Sequence, residues 1–168
     1  LAHRQTYALP FGMTTGFSGS ATITSSTDAV AIGKVTGTGL TTAFVGASSG
    51  GDRLALPYVR WTESQYIPGG RQRTFIAIQN ITGTSIPAGS IVVKYYDRNG
   101  LLVTTHTPVF GGNPAAAIPN GGKVNSNAYS TADPDAAEFG YYDNGFGGSA
   151  IVECSAPGCQ VIAVARVN

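Results

Sequence analysis

Near its end the chain rewrites a passage it has already used near its beginning, and this internal repeat limits the possible folds more than any other feature. Residues 17–35 read FSGSATITSSTDAVAIGKV, and residues 146–167 read FGGSAIVECSAPGCQVIAVARV. Phe17 falls on Phe146, Gly19 on Gly148, Ser20 on Ser149, Ala21 on Ala150 and Ile23 on Val152, at an offset of 129. After a loop three residues longer in the second copy, Ala31 meets Ala163, Ile32 meets Val164, Lys34 meets Arg166 and Val35 meets Val167. Small and β-branched residues on both sides of a turn favour strands over helix. The repeat therefore predicts one β-hairpin written twice, with a single body of sequence between the copies. In the first copy the expected strands are residues 21–24 and 29–35, and Phe17, Ala21, Ile23, Val30, Ile32 and Val35 form an assembly hairpin. The chain divides accordingly into residues 1–53, the tail of a preceding repeat or a strand-exchange arm, and residues 54–168, a complete module.

The body between the copies has strand periodicity. Residues 54–61 (LALPYVRW) begin the module, with Pro57 restricting that strand to an edge or a bend. In residues 73–80, Ile76 and Ile78 share one face. Residues 89–97 (GSIVVKYYD) form the strongest strand, with Ile91, Val93 and Tyr95 on one face, and the following Arg-Asn-Gly100 predicts a tight turn and a return strand to residue 109. Residues 36–53 read as a Gly/Ser/Thr-rich connector with one short apolar centre at 43–45 and room for one strand, and a short strand is expected at 123–129. Asp133 as a cap before Pro134 suggests a single helical turn. No stretch holds helical periodicity over three turns. About seven or eight short strands after residue 54, in a chain long enough for one domain and an attached part, predict an all-β fold: an antiparallel two-sheet Greek-key sandwich, Ig-like or jelly-roll-like, with an extra N-terminal hairpin.

Composition narrows the function classes. Only 11% of residues are charged, against roughly 25% in an average soluble domain. The net charge of +1 and the absence of a Lys/Arg-rich run argue against nucleic acid as a partner. Cys154 and Cys159, five apart around Pro157-Gly158, are expected to form a short-range disulfide, which implies an exported, oxidising location. Two thiols without a nearby His make a poor zinc site. No apolar run approaches the about 18 residues of a membrane helix, and a chain beginning at Leu1 is expected to be processed or part of something longer.

Residues that could carry chemistry are few. The two imidazoles, His3 and His106, stand in no nucleophile–base motif, and His106 reads as a solvent-facing strand residue, so no catalytic residue and no cofactor is assigned and the chain is read as a non-enzyme. Asp133, Asp135, Glu138 and Asp143 form the densest acidic group, a weak calcium candidate whose spacing fits no known loop, against the simpler reading of a capped, solvated turn. Tyr58, Trp61 and Tyr66 could offer a binding surface for sugar rings, although aromatics at strand ends more often fill a core or a joint. Asn80-Ile-Thr82 has the form of a glycosylation sequon.

The motifs Ile78-Gln79-Asn80, Tyr95-Tyr96-Asp97, Asn99-Gly100 and Gly145-Phe-Gly-Gly-Ser-Ala150 resemble the repeated extracellular β-domains of large surface proteins from filamentous green non-sulfur bacteria and related lineages. The resemblance covers residues 54–168 as one repeat and residues 16–52 as the end of a preceding one; the cysteine turn departs from its pattern. It implies a structural role at the cell surface and supplies no catalytic residue. Together with the doubled closing strands, it leads to the expectation of a structural subunit of an extracellular polymer (a filament, sheath or surface layer) whose copies meet head to tail through β-edges. The alternative is a cell-surface adhesin or carbohydrate-binding module, with glycans as partners.

Overall fold

A computed structural model describes residues 19–37, 40–62, 72–127 and 145–167. Nine strands occur in the described residues: β1 (Ile32–Gly37), β2 (Leu40–Val45), β3 (Arg53–Thr62), β4 (Gln72–Asn80), β5 (Ile91–Asp97), β6 (Leu102–His106), β7 (Lys123–Asn127), β8 (Gly145–Cys154) and β9 (Val161–Val167). All pairings are antiparallel. The expected helical turn at 133–138 lies outside the described residues.

The strand with the clearest alternation in the sequence shows how the fold is built. In β5, Ile91, Val93, Tyr95 and Asp97 are buried while Val92, Lys94 and Tyr96 are half-buried. A buried carboxylate at the strand's end is tolerated because it closes the turn: Asp97 Oδ1 accepts the backbone N–H of Asn99 and of Leu101, each at 2.8 Å. Gly100 supplies the left-handed backbone, at φ 81°, that the return into β6 needs.

Two sheets result. One runs β6-β5-β8-β3 and the other β9-β4-β7. They are continuous at one corner, where Trp61 and Thr62 of β3 pair with Arg73 and Gln72 of β4. Beyond that corner the strands part, and the Thr74 hydroxyl replaces the lost backbone partner, accepting the Arg60 N–H at 2.7 Å and donating to the Arg60 carbonyl at 3.0 Å. The register of β3 against β8 slips between Leu56 and Val59, so Pro57 sits at the irregularity expected of it.

The inner faces enclose one core. Val59, Ile91, Val93, Tyr95, Ala150 and Val152 come from the first sheet, and Ile76, Ile78, Val124 and Val161 from the second. Each large aliphatic side chain so buried contributes roughly 1.5–3 kcal/mol. The antiparallel two-sheet sandwich expected from the strand pattern is thus what forms.

The pairing of its last strands is not the expected one. Residues 146–167 do not form a hairpin: β8 lies between β3 and β5 in the first sheet, and β9 lies against β4 in the second. The intervening turn is an arch that carries the chain from one sheet to the other. Its feet are joined by the Cys154–Cys159 disulfide, with Cα atoms 6.2 Å apart and both cysteines buried. Alternation alone cannot distinguish a hairpin from an arch, because both are strand, turn and strand; only the partners on either side decide. A six-residue loop removes modest entropy from the unfolded chain, so replacing both cysteines with alanine is expected to cost about 2 kcal/mol in chemical denaturation while leaving the fold intact.

The N-terminal segment differs in the same way. Residues 21–24 belong to no strand, and the expected partner strand pairs forward instead, as β1 against β2, with Ile32 opposite Val45 and Gly37 opposite Leu40. The one strand expected in the connector is present as β2, which contains the apolar centre at 43–45.

Candidate interaction surface

Residues 19–45 carry apolar side chains that no core absorbs. Val30 is 81% exposed, Ile32 69%, Val45 64% and Ile23 55%, with Val35 and Phe44 also exposed. Ile32 and Val45 lie opposite one another on one face of the β1–β2 hairpin. On the other face the Phe44 ring lies over Gly33, its cross-strand partner, and fills the space a Cβ would need. A two-stranded hairpin is marginal in water without a third strand or a surface to pack on. Among the described residues, β1 pairs only with β2 and its other edge is open, as are the outer edges of β6 and β7, while the outer edge of β9 is bridged at Val161 by Gly51. Of the assembly residues expected from the sequence, Ala21, Ile23, Val30, Ile32 and Val35 are on this surface, whereas Phe17 lies outside the described residues.

The connection from this segment to the sandwich is tied down. Gly51 exchanges both backbone hydrogen bonds with Val161 at 3.0 Å, the Cys154 N–H donates to the Asp52 carbonyl at 2.8 Å, and the Ser20 hydroxyl donates to the Gly121 carbonyl at 2.8 Å.

The groups singled out for chemistry are dispersed. His106 is half-buried and not solvent-facing: its Nδ1 shares a 2.9 Å hydrogen bond with Ser126 Oγ, which in turn shares one of 2.5 Å with the Tyr95 hydroxyl. Ser126 is fully buried, so this chain of polar groups crosses the sandwich from β5 and β6 to β7 without presenting a nucleophile. The correction at Asn80 is larger. Its side chain is fully buried, and the Nδ2 that a glycan would occupy donates to the Thr84 carbonyl at 2.8 Å and the Ile118 carbonyl at 2.9 Å. Glycosylation at Asn80 is therefore incompatible with this fold.

Tyr58 is half-exposed beside a cleft of about 340 Å³ that also involves Arg60, Asp97 and Arg98. Of Trp61 only the place in β3 is described, and Tyr66 lies outside the described residues. Asp133, Asp135, Glu138 and Asp143 also lie outside them. Among the described residues no group of three His, Cys, Asp or Glu could hold a metal, and no helix is long and apolar enough to cross a membrane.

The first sheet's outer face carries one charge cluster. Glu153 on β8 meets Lys94 Nζ of β5 at 2.6 Å and Arg53 Nε of β3 at 3.3 Å. The hydrogen bond from Lys94 holds the Glu153 carboxyl below the usual carboxylate range, and the same bond raises the Lys94 ammonium. Pairs this open to solvent select register more than they stabilise.

Among the described residues, the exposed apolar side chains of residues 19–45 and the open strand edges are the features that a partner could meet. Comparison of the chain with protein-family models, with curated proteins and with solved structures finds no match.

Proposed function

We propose that the chain is a structural module of an extracellular bacterial polymer, joined head to tail to its neighbours through β-edges. The observation that carries this reading is an apolar hairpin with an open edge, standing outside a sandwich that already has a closed core. Open edges and exposed apolar residues are what soluble monomers ordinarily avoid, and a contact between two different surfaces of one subunit propagates without closing. The buried disulfide suits an oxidising exterior.

Sedimentation and negative-stain microscopy test this directly. The intact chain is expected to associate end to end as concentration rises, and the Ile32→Lys/Val45→Lys variant to need about tenfold more protein for the same association. Discrete monomers at every concentration would overturn the proposal. The cleft beside Tyr58 favours the second reading, a carbohydrate-binding module. Glycan binding that is lost in Tyr58→Ala and untouched by the hairpin variant would move the function there.

A further inference from the structure

We infer that residues 19–37 are the closing strands of another sandwich of this kind, and that the surface they fit is a module whose own β8 and β9 positions are empty. The inference rests on the modular reading above and names the partner that reading leaves open.

The repeat sets the register. Laid on β8, Ala21 takes the place of Ala150 and Ile23 that of Val152, both fully buried in the module. At the alternate positions Thr22 replaces Ile151 and Thr24 replaces Glu153, so the copy keeps apolar residues at the inward positions and carries threonine at the outward ones. Laid on β9, Ala31 takes the place of Ala163 and Gly33 that of Ala165, the two small residues packed against the core from the second sheet. Here Gly33 lacks a methyl group, and the Phe44 ring already lies over it. The present surroundings of the copy do not match this pattern: Ile23, the counterpart of a residue with no exposure, is 55% exposed.

The connection also fits. In the module the chain crosses between sheets through the disulfide arch, whereas the copy has only residues 25–28. Four residues can reach about 14 Å, more than the roughly 10 Å between stacked sheets. The edges agree as well. β9 uses one edge for β4, and β1 uses one edge for β2, so β1 still has an edge to offer a β4 counterpart while β2 covers the other. Docking would exchange the Ser20–Gly121 hydrogen bond for three strand ladders, the counterparts of β8 with β3, β8 with β5 and β9 with β4.

A second intact copy of this chain is not the occupant. Its β8 is already paired along both edges, with β3 and with β5, and leaves no slot to enter. The partner is instead the β3–β7 part of a preceding module in a tandem array. Identical copies are left with contacts at their open edges.

The test is a chimera of the whole chain in which residues 146–167 are replaced by residues 17–35. It is expected to unfold cooperatively, with Ile76 and Ile78 amide protection within about a hundredfold of that in the Cys154→Ala/Cys159→Ala chain, which controls for the missing disulfide. The same chimera carrying Asp in place of the transplanted Ile23 is expected not to fold. A chimera without a cooperative transition, when the disulfide-free chain has one, overturns the inference; so does a chimera indifferent to the Asp. Both outcomes are independent of the association assay, so a folded chimera with a monomeric parent would sink the polymer reading alone.

Discussion

Truncating Tyr95 to alanine is expected to destabilise the sandwich by about 4 kcal/mol, whereas Tyr95→Phe is expected to cost only about 1–2 kcal/mol. The ring is 1% exposed and belongs to the core between the sheets, so its removal leaves a cavity that flanking strands held in two ladders cannot close. Phenylalanine keeps the ring and removes only the hydroxyl that meets Ser126. The protons can run either way along these contacts, from Tyr95 through Ser126 to His106 Nδ1 or from the His106 Nδ1–H through Ser126 to Tyr95. A cycle of Tyr95→Phe, Ser126→Ala and the double variant, followed by urea denaturation, measures the coupling across the sandwich. If the network is structural, the energies couple and any binding or assembly behaviour follows stability alone. A Tyr95→Ala cost below about 1 kcal/mol would contradict the placement of the ring in the core.

The sequence made some of this architecture readable and left the rest open for identifiable reasons. The β5–β6 hairpin was legible because alternation, an Asp that can close a turn and a Gly for left-handed backbone all agree within residues 89–109. The irregularity at Pro57 was legible for a similar local reason. Pairings between distant segments were not. Nothing within residues 146–167 states that β8 will lie between β3 and β5 while β9 crosses to β4, because those neighbours lie up to about 100 residues away along the chain. The same holds for β1, which pairs forward with β2 and not with residues 21–24 before it. His106 and Asn80 show a second limit. A polar residue in a strand reads as solvent-facing until a buried partner is known, and Ser126, which meets His106, gives no sequence signal of its own.

Asn80 carries the other large effect. Replacing it with alanine is expected to cost about 3 kcal/mol, and with aspartate at least as much. The strand that ends at Asn80 delivers a fully buried amide into the junction of two loops. Nδ2 donates to the carbonyls of Thr84 and Ile118, while Oδ1 accepts the Thr82 N–H at 2.8 Å. The backbone adds to the same knot, since the Asn80 N–H donates to the Gly122 carbonyl and the Gly121 N–H to the Asn80 carbonyl. Alanine would leave the buried Ile118 carbonyl and the part-buried Thr84 carbonyl and Thr82 N–H without these partners, each a desolvation cost of up to about 1–3 kcal/mol that relaxation and water entry reduce in part. Aspartate keeps the acceptor but turns an oxygen toward two carbonyl oxygens, so it adds repulsion to the loss. Chemical denaturation measures the total, and amide exchange at Thr82, Ile118 and Gly121 locates it, with protection expected to fall there before it falls in β5 or β8. An Asn80→Ala chain as stable as the parent, or a folded chain carrying a glycan at Asn80, would show that this amide is not buried as described. The Asn-X-Thr pattern would then mark an exposed loop; with the knot intact, its threonine contributes a backbone N–H to Asn80 and a hydroxyl that accepts from Gln160 at 2.9 Å, fastening the β4 end to the disulfide arch.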